Sequence, residues 1–162
     1  MKLRILNMTV VTLASFSIAF VVGTPASATG ARVARGTLHP FAATFTDPSL
    51  AQYAELAGHA QMVRTADGKT IVSVHVTGLL ANVFYPSHVH KSPCAAGDAD
   101  GHYRFDPNGP ADALNEIWMS FTSGNDGVGH GSATADRTAG VAAVSVVVHA
   151  PGGAKIGCAD LA

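Results

Sequence analysis

Hydrophobic positions in this chain alternate with polar ones over short runs, and nowhere in the body of the chain do they recur at helical spacing for long. The clearest run is TIVSVHVTGL, Thr70 to Leu79, with Val72, Val74 and Val76 on one side and Ser73, His75 and Thr77 on the other. Side chains two apart on a strand share a face, so this reads as a strand with one face wet. The run GHAQMVRT precedes it, and Asp67-Gly68 lies between, which makes the pair a β-hairpin. A further strand is expected from about Val83 to His90. Strand character returns in NEIWMSFTS, in GVAAVSVVVHA and around Ala154 to Cys158. TLHPFAATFTD is a weaker first strand because it contains Pro40, and PSLAQYAELAG reads as one helical turn or a loop. Residues 29–36, TGARVARG, read as a flexible lead-in, with the ordered domain covering residues 37–162. Several short strands with Gly-rich turns and no amphipathic helix of useful length imply an all-β, antiparallel sandwich or barrel.

Two segments depart from this pattern. The first residues carry Lys2 and Arg4, an apolar stretch from about Met8 to Val22, and then the small residues Ala26 to Ala28. That is the layout of a secretory signal cleaved after Ala28, and the apolar core is short for a membrane span. An uncleaved anchor is the alternative. The second is KSPCAAGDADGHYRFDPNGPADAL, Lys91 to Leu114, a long irregular connection of the kind that is usually functional or disordered. Within it, DADG lacks the spacing and the closing glutamate of a calcium loop.

Charge excludes one class of partner. Loss of residues 1–28 removes Lys2 and Arg4 from ten cations and leaves eleven acids, formally −3, with no basic patch suited to nucleic acid or an anionic membrane. Cys94 and Cys158 are the only cysteines. Their spacing rules out a C-x-x-C pair, and in an oxidising compartment two cysteines most simply form one disulfide. Closing so long a loop contributes on the order of 4 kcal/mol on the chain-entropy account.

The histidines carry the candidate chemistry. His88 and His90 flank Val89 in SHVHKSPC, so both imidazoles project to one face while Val89 points into the core. Two imidazoles on one wall form half of a metal site, and imidazole suits copper, zinc, iron or nickel. His102 lies in the irregular connection, where a loop can carry a ligand onto a strand face. His149 ends the most apolar strand, where an imidazole either faces solvent or needs a partner. His59 and His75 read as surface or cross-strand residues, His39 and His130 have no nameable partner, and Trp118 reads as packing. A blue-copper site is excluded by the absence of a histidine after Cys158.

In order and spacing, GL…SHVHKSPC, GHYRFDP and VVVHAPGGAKIGCADL resemble the copper–zinc superoxide dismutases over roughly Gly78 to Ala162. The resemblance implies a Greek-key β-barrel and copper held by His88, His90, His102 and His149. It also implies a Cys94–Cys158 disulfide and an activity that converts superoxide to O₂ and H₂O₂ through Cu(II)/Cu(I) cycling. His102 matches the histidine that bridges copper and zinc in the full family. Lys155 stands where the family has the arginine that draws the anion to copper, so His102 and Lys155 are the expected catalytic residues. Lysine keeps the charge but lacks the guanidinium fork. The family's two further zinc histidines are absent, and Phe105 to Met119 offers only Asp106, Asp112 and Glu116. One carboxylate with His102 is a poor tetrahedral zinc site, so copper alone is expected, although Asp106 could help to hold a second ion. The runner-up reading is a secreted copper-binding or scavenging module on the same scaffold.

Overall fold

The structure, a computed structural model, describes residues 30–162; the expected signal, residues 1–28, lies outside them. Among the described residues the regular structure is mainly nine strands: β1 (Arg32–Pro40), β2 (Ala57–Arg64), β3 (Thr70–Thr77), β4 (Phe84–Tyr85), β5 (Ser87–His90), β6 (Phe121–Thr122), β7 (Gly129–Ala135), β8 (Ser145–His149) and β9 (Lys155–Asp160). The helical content among the described residues is one four-residue turn of α-helix, α1 (Ala43–Thr46), and a 3-10 turn at Ala51–Tyr53. Seven strands form one antiparallel sheet in the order β5-β8-β9-β1-β2-β3-β7, and β4 pairs with β6. With β9 beside β1, on the far side of the β1-β2-β3 meander from β3, the order is that of a Greek key. Among the described residues no helix is long and apolar enough to cross a membrane.

The β2-β3 hairpin forms in the expected place, paired from Ala57↔Thr77 to Arg64↔Thr70. Its alternation is that of the sequence, since Val72, Val74 and Val76 are buried. Gly68 supplies the positive φ, 86°, that the turn requires.

The expected lead-in is corrected. β1 begins at Arg32, and Arg32 to Leu38 pair with β2 from Arg64 back to Gly58. Gly36 had concealed this strand. A Cβ there would lie 2.0 Å from the Asp160 carbonyl oxygen, so the glycine admits the end of β9 rather than loosening the chain. Arg35 extends outward to Gln61, its Nε donating to Oε1 at 3.0 Å. Pro40 does not weaken the strand but ends it.

Pro86 divides the expected Val83–His90 strand into β4, which pairs with β6, and β5, which pairs with β8. The segment Ile117 to Met119 runs along the free edge of β5, with Val89 N–H donating to Ile117 and Met119 N–H to Ser87. Beyond it, β7 presses close enough that a Cβ on Gly131 would sit 1.8 Å from the Met119 carbonyl oxygen. This contact nearly closes the sheet into a barrel. Val89, Tyr85, Met119, Val146, Val148 and Ile156 lie in its core, each at 0 % exposure. Val89 thus anchors the wall on which His88 and His90 stand, and burying one such side chain stabilises the fold by roughly 1.5–3 kcal/mol.

Candidate metal centre

Four histidines from three parts of the chain converge at one end of β5. His88 and His90 are fixed by β8 on one side, opposite Val147 and Ser145. On the other side His88 pairs with Trp118, and His90 with His102. The loop is laid along the strand by Lys91 N–H donating to Gly101 and Tyr103 N–H donating to Val89, and this carries His102 onto the His88/His90 face. His149 follows a bulge at the end of β8, and its N–H donates to Pro86 at 2.8 Å. The ring of His88 lies 4.0 Å from that of His102 and 5.2 Å from that of His149, while His90 and His149 are 5.5 Å apart, centroid to centroid. One nitrogen from each of the four lies within 4.8 Å of the other three, an arrangement that could hold a metal ion.

The hydrogen bonds say which nitrogens are free. His149 Nδ1 donates to Gly153 at 3.0 Å, and His90 Nδ1 is shared between the Asp100 and Ala99 carbonyls at 3.2 and 3.3 Å. Their Nε2 atoms, together with His88 Nδ1, are buried without any hydrogen-bond partner. A buried polar atom left unpaired costs about 1–3 kcal/mol, so three of them in one cluster are atoms that a shared ligand could satisfy. Burial first, and then the neighbouring imidazoles, push His88 down to about 3 and His90 down to about 4; burial also lowers His149. The three rings are therefore neutral at neutral pH, the state in which imidazole binds a metal.

His102 is held differently. Its Nδ1 donates to Glu116 Oε2 at 2.6 Å, which leaves Nε2 as the lone-pair nitrogen. Glu116, with 1 % of its side chain exposed, also accepts from Trp118 Nε1 at 2.8 Å and Arg104 Nε at 3.1 Å. Burial alone would raise this carboxyl, but the bonds from Trp118, His102 and Arg104 outweigh it and hold it ionised. In the sequence Glu116 is a candidate only as a second-metal ligand, and no spacing rule links it to His102. Asp106 does not approach the histidines and accepts instead from Asn108 N–H at 3.0 Å in its own turn. Trp118 is corrected as well: it is 41 % exposed, its ring is T-shaped to that of His88, and its indole N–H donates to Glu116. Because a carboxylate behind a metal-binding imidazole fixes its tautomer and angle, Glu116→Gln is expected to lower the affinity of any metal held by the cluster about 10–100-fold in chelator competition.

A strained turn sits beneath His90. Gly97, Asp98, Ala99 and Asp100 all have φ between 52° and 63°, and Asp100 N–H donates back to Gly97. The left-handed region costs an L-residue about 1–2 kcal/mol, so the turn must be held by its surroundings. Ala99 is fully buried in a small cluster with Phe41, Val147 and Cys158. The Cys94–Cys158 disulfide ties the loop to β9, with Cα atoms 5.8 Å apart. Lys155 Nζ donates to the Asp98 and Asp100 carbonyls. The expected anion-drawing cation is thus also a clamp on the turn that supports His90.

Fold and site together define an antiparallel β-barrel with a disulfide and a four-histidine cluster suited to a metal ion. No protein-family model matches the chain, and no curated protein matches it in sequence.

Proposed function

We propose that the chain is an exported, copper-dependent superoxide dismutase of the copper-only kind, related to the copper–zinc family it resembles. The observation that carries this reading is the set of three buried, unpartnered ring nitrogens meeting that of His102. An all-imidazole set suits copper, which heads the affinity order among divalent first-row ions. When bound, copper would supply one-electron exchange with superoxide in both directions.

The remaining chemistry belongs to the chain. His90 and His149 are 1 % and 7 % exposed, whereas His102 is 31 % exposed, so one side of the cluster is open to a small anion. Glu116 accepts from His102 Nδ1 and, with Arg104 on its other oxygen, occupies that nitrogen's side of the ring. A second cation there would face the guanidinium, which argues for copper alone. Lys155 supplies positive charge near His90 and His149, where it contributes to lowering both, and a fixed cation at a small site raises local anion concentration. The disulfide fits export to an oxidising compartment. One observation favours the alternative, a copper-binding module with little turnover. The Lys155 ammonium is already engaged by two carbonyls.

The test is superoxide removal per bound copper, with excess EDTA present to silence free copper. Salt-sensitive activity is expected, retained in Lys155→Arg and roughly tenfold lower in Lys155→Gln with a flattened salt dependence. Tight copper binding with no turnover under these conditions would establish the copper-binding module instead.

A further inference from the structure

A second histidine group lies elsewhere on the outer face of the sheet, open to solvent. His59 on β2, His75 on β3 and His130 on β7 stand directly opposite one another across three adjacent antiparallel strands. Val74 and Val76 point into the core, so His75 and its two partners occupy the outer face. The rings form a row, 5.1 Å between His59 and His75 and 4.4 Å between His75 and His130. With Ser73 and Ser132 they line a shallow groove. As directly opposed cations the three would repel, which is destabilising in a sheet. Burial and the two neighbouring rings lower His75, the middle ring of the row.

The spacing matters more. His75 Nδ1 is within hydrogen-bonding distance of the His130 ring, 3.1 Å from Nδ1 and 3.3 Å from Nε2, a contact that a shared ion can replace. Two imidazole nitrogens bound to one ion at 2.0–2.1 Å, with an angle between square-planar and tetrahedral, are about 2.9–3.4 Å apart. Either pairing of nitrogens already falls inside that span. His59 is exposed and packs on the far side of His75; the three rings do not converge on one point as they stand, and His59 would join only by turning its exposed side chain. No carboxylate or thiolate lines the groove, and the donor set is imidazole and water, which suits Cu(II) before Zn(II).

We propose that His75 and His130, completed by His59, form a second metal site, solvent-exposed and exchangeable, for a divalent transition-metal ion. It shares no residue with the buried cluster and does not depend on the dismutase reading. Water fills the remaining coordination positions, so the ion is held more weakly than in the buried cluster and exchanges with solution.

The experiment titrates Zn(II) into protein already carrying one copper, by calorimetry and by NMR of the imidazole protons. One further equivalent is expected to bind and to shift the His75 and His130 resonances. In His75→Asn/His130→Asn that equivalent should bind at least tenfold more weakly with an unchanged melting temperature, and His59→Asn should weaken it by a smaller factor. His88→Asn/His149→Asn, lacking the buried cluster, should keep it, so the two sites fail independently. If that variant does not fold, the resonances of the parent decide. The proposal is overturned if Zn(II) leaves the His75 and His130 signals unmoved, or if the His75/His130 variant titrates like the parent.

Discussion

His149→Leu is expected to make the metal-free protein harder to unfold while lowering its copper affinity by well over a hundredfold. The two effects have opposite signs because the same nitrogen is a liability without metal and a ligand with it. His149 is 7 % exposed and its Nε2 has no partner. Leucine, of similar bulk, removes that atom, and the only bond lost is to Gly153, whose exposed position lets water replace it. Relieving one buried unpaired polar group is worth about 1–3 kcal/mol in denaturant unfolding. Copper binding, by contrast, loses one of four inward nitrogens, a larger loss than the 10–100-fold typical of an outer-shell partner. A histidine kept for packing or hydrogen bonding alone would give the reverse, with lower stability and unchanged copper retention.

The pH dependence of the metal-free protein sharpens this. His88, His90 and His149 are all held below 6.5, the first two to about 3 and about 4. The unfolded chain therefore takes up protons below pH 6.5 that the folded chain refuses. Stability is constant with respect to these groups above that pH and is lost as pH falls toward 4. His149→Leu deletes one of the three contributions, so its advantage over the parent should widen from pH 7 to pH 5. A gap that stays constant would mean that His149 titrates normally in the fold.

How much of this could be read in advance follows from which contacts are local. The β2-β3 hairpin was legible because alternation and an Asp-Gly turn are properties of a short window. The gathering of His88, His90, His102 and His149 was legible because a strand HxH and a histidine at a strand end are local patterns that the resemblance placed in order. β1 was misread over Arg32 to Gly36 because its justification is remote: Gly36 accommodates the Asp160 carbonyl, more than a hundred residues away in the chain. Glu116 and Trp118 were likewise obscure. Their roles arise only when the segment after the long loop returns along the far edge of β5. The row of His59, His75 and His130 depends on the register of three strands, and register across β3 and β7 is set by a connection that sequence periodicity does not describe.

Removing the disulfide, as Cys94→Ala/Cys158→Ala, is expected to produce the largest change in stability and a separate change at the metal centre. The bond closes a loop of 64 residues, which on the chain-entropy account is worth about 4 kcal/mol and roughly 10–20 °C in melting temperature for a domain of this size. Entropy alone would leave the folded site as it is. Cys158, however, packs with Val147 and Phe41 against Ala99, inside the left-handed turn whose carbonyls fix His90. Three non-glycine residues in that turn are in an unfavourable region, and without the tether the loop can relax at the expense of the His90 anchor. Copper affinity should therefore fall about 10–100-fold, the range for loss of an outer-shell support, and added copper should recover part of the lost melting temperature because it binds only the folded form. The chelator competition is made with the alanine variants, since a thiol reductant would itself take copper. Lys155→Met tests the other clamp on the same turn, and it should reduce copper retention in the disulfide-bonded protein while leaving most of the stability in place. Equal copper affinity with and without the disulfide would locate the support of His90 in β5 and β8 alone, and would reduce the strained turn to a consequence of loop closure.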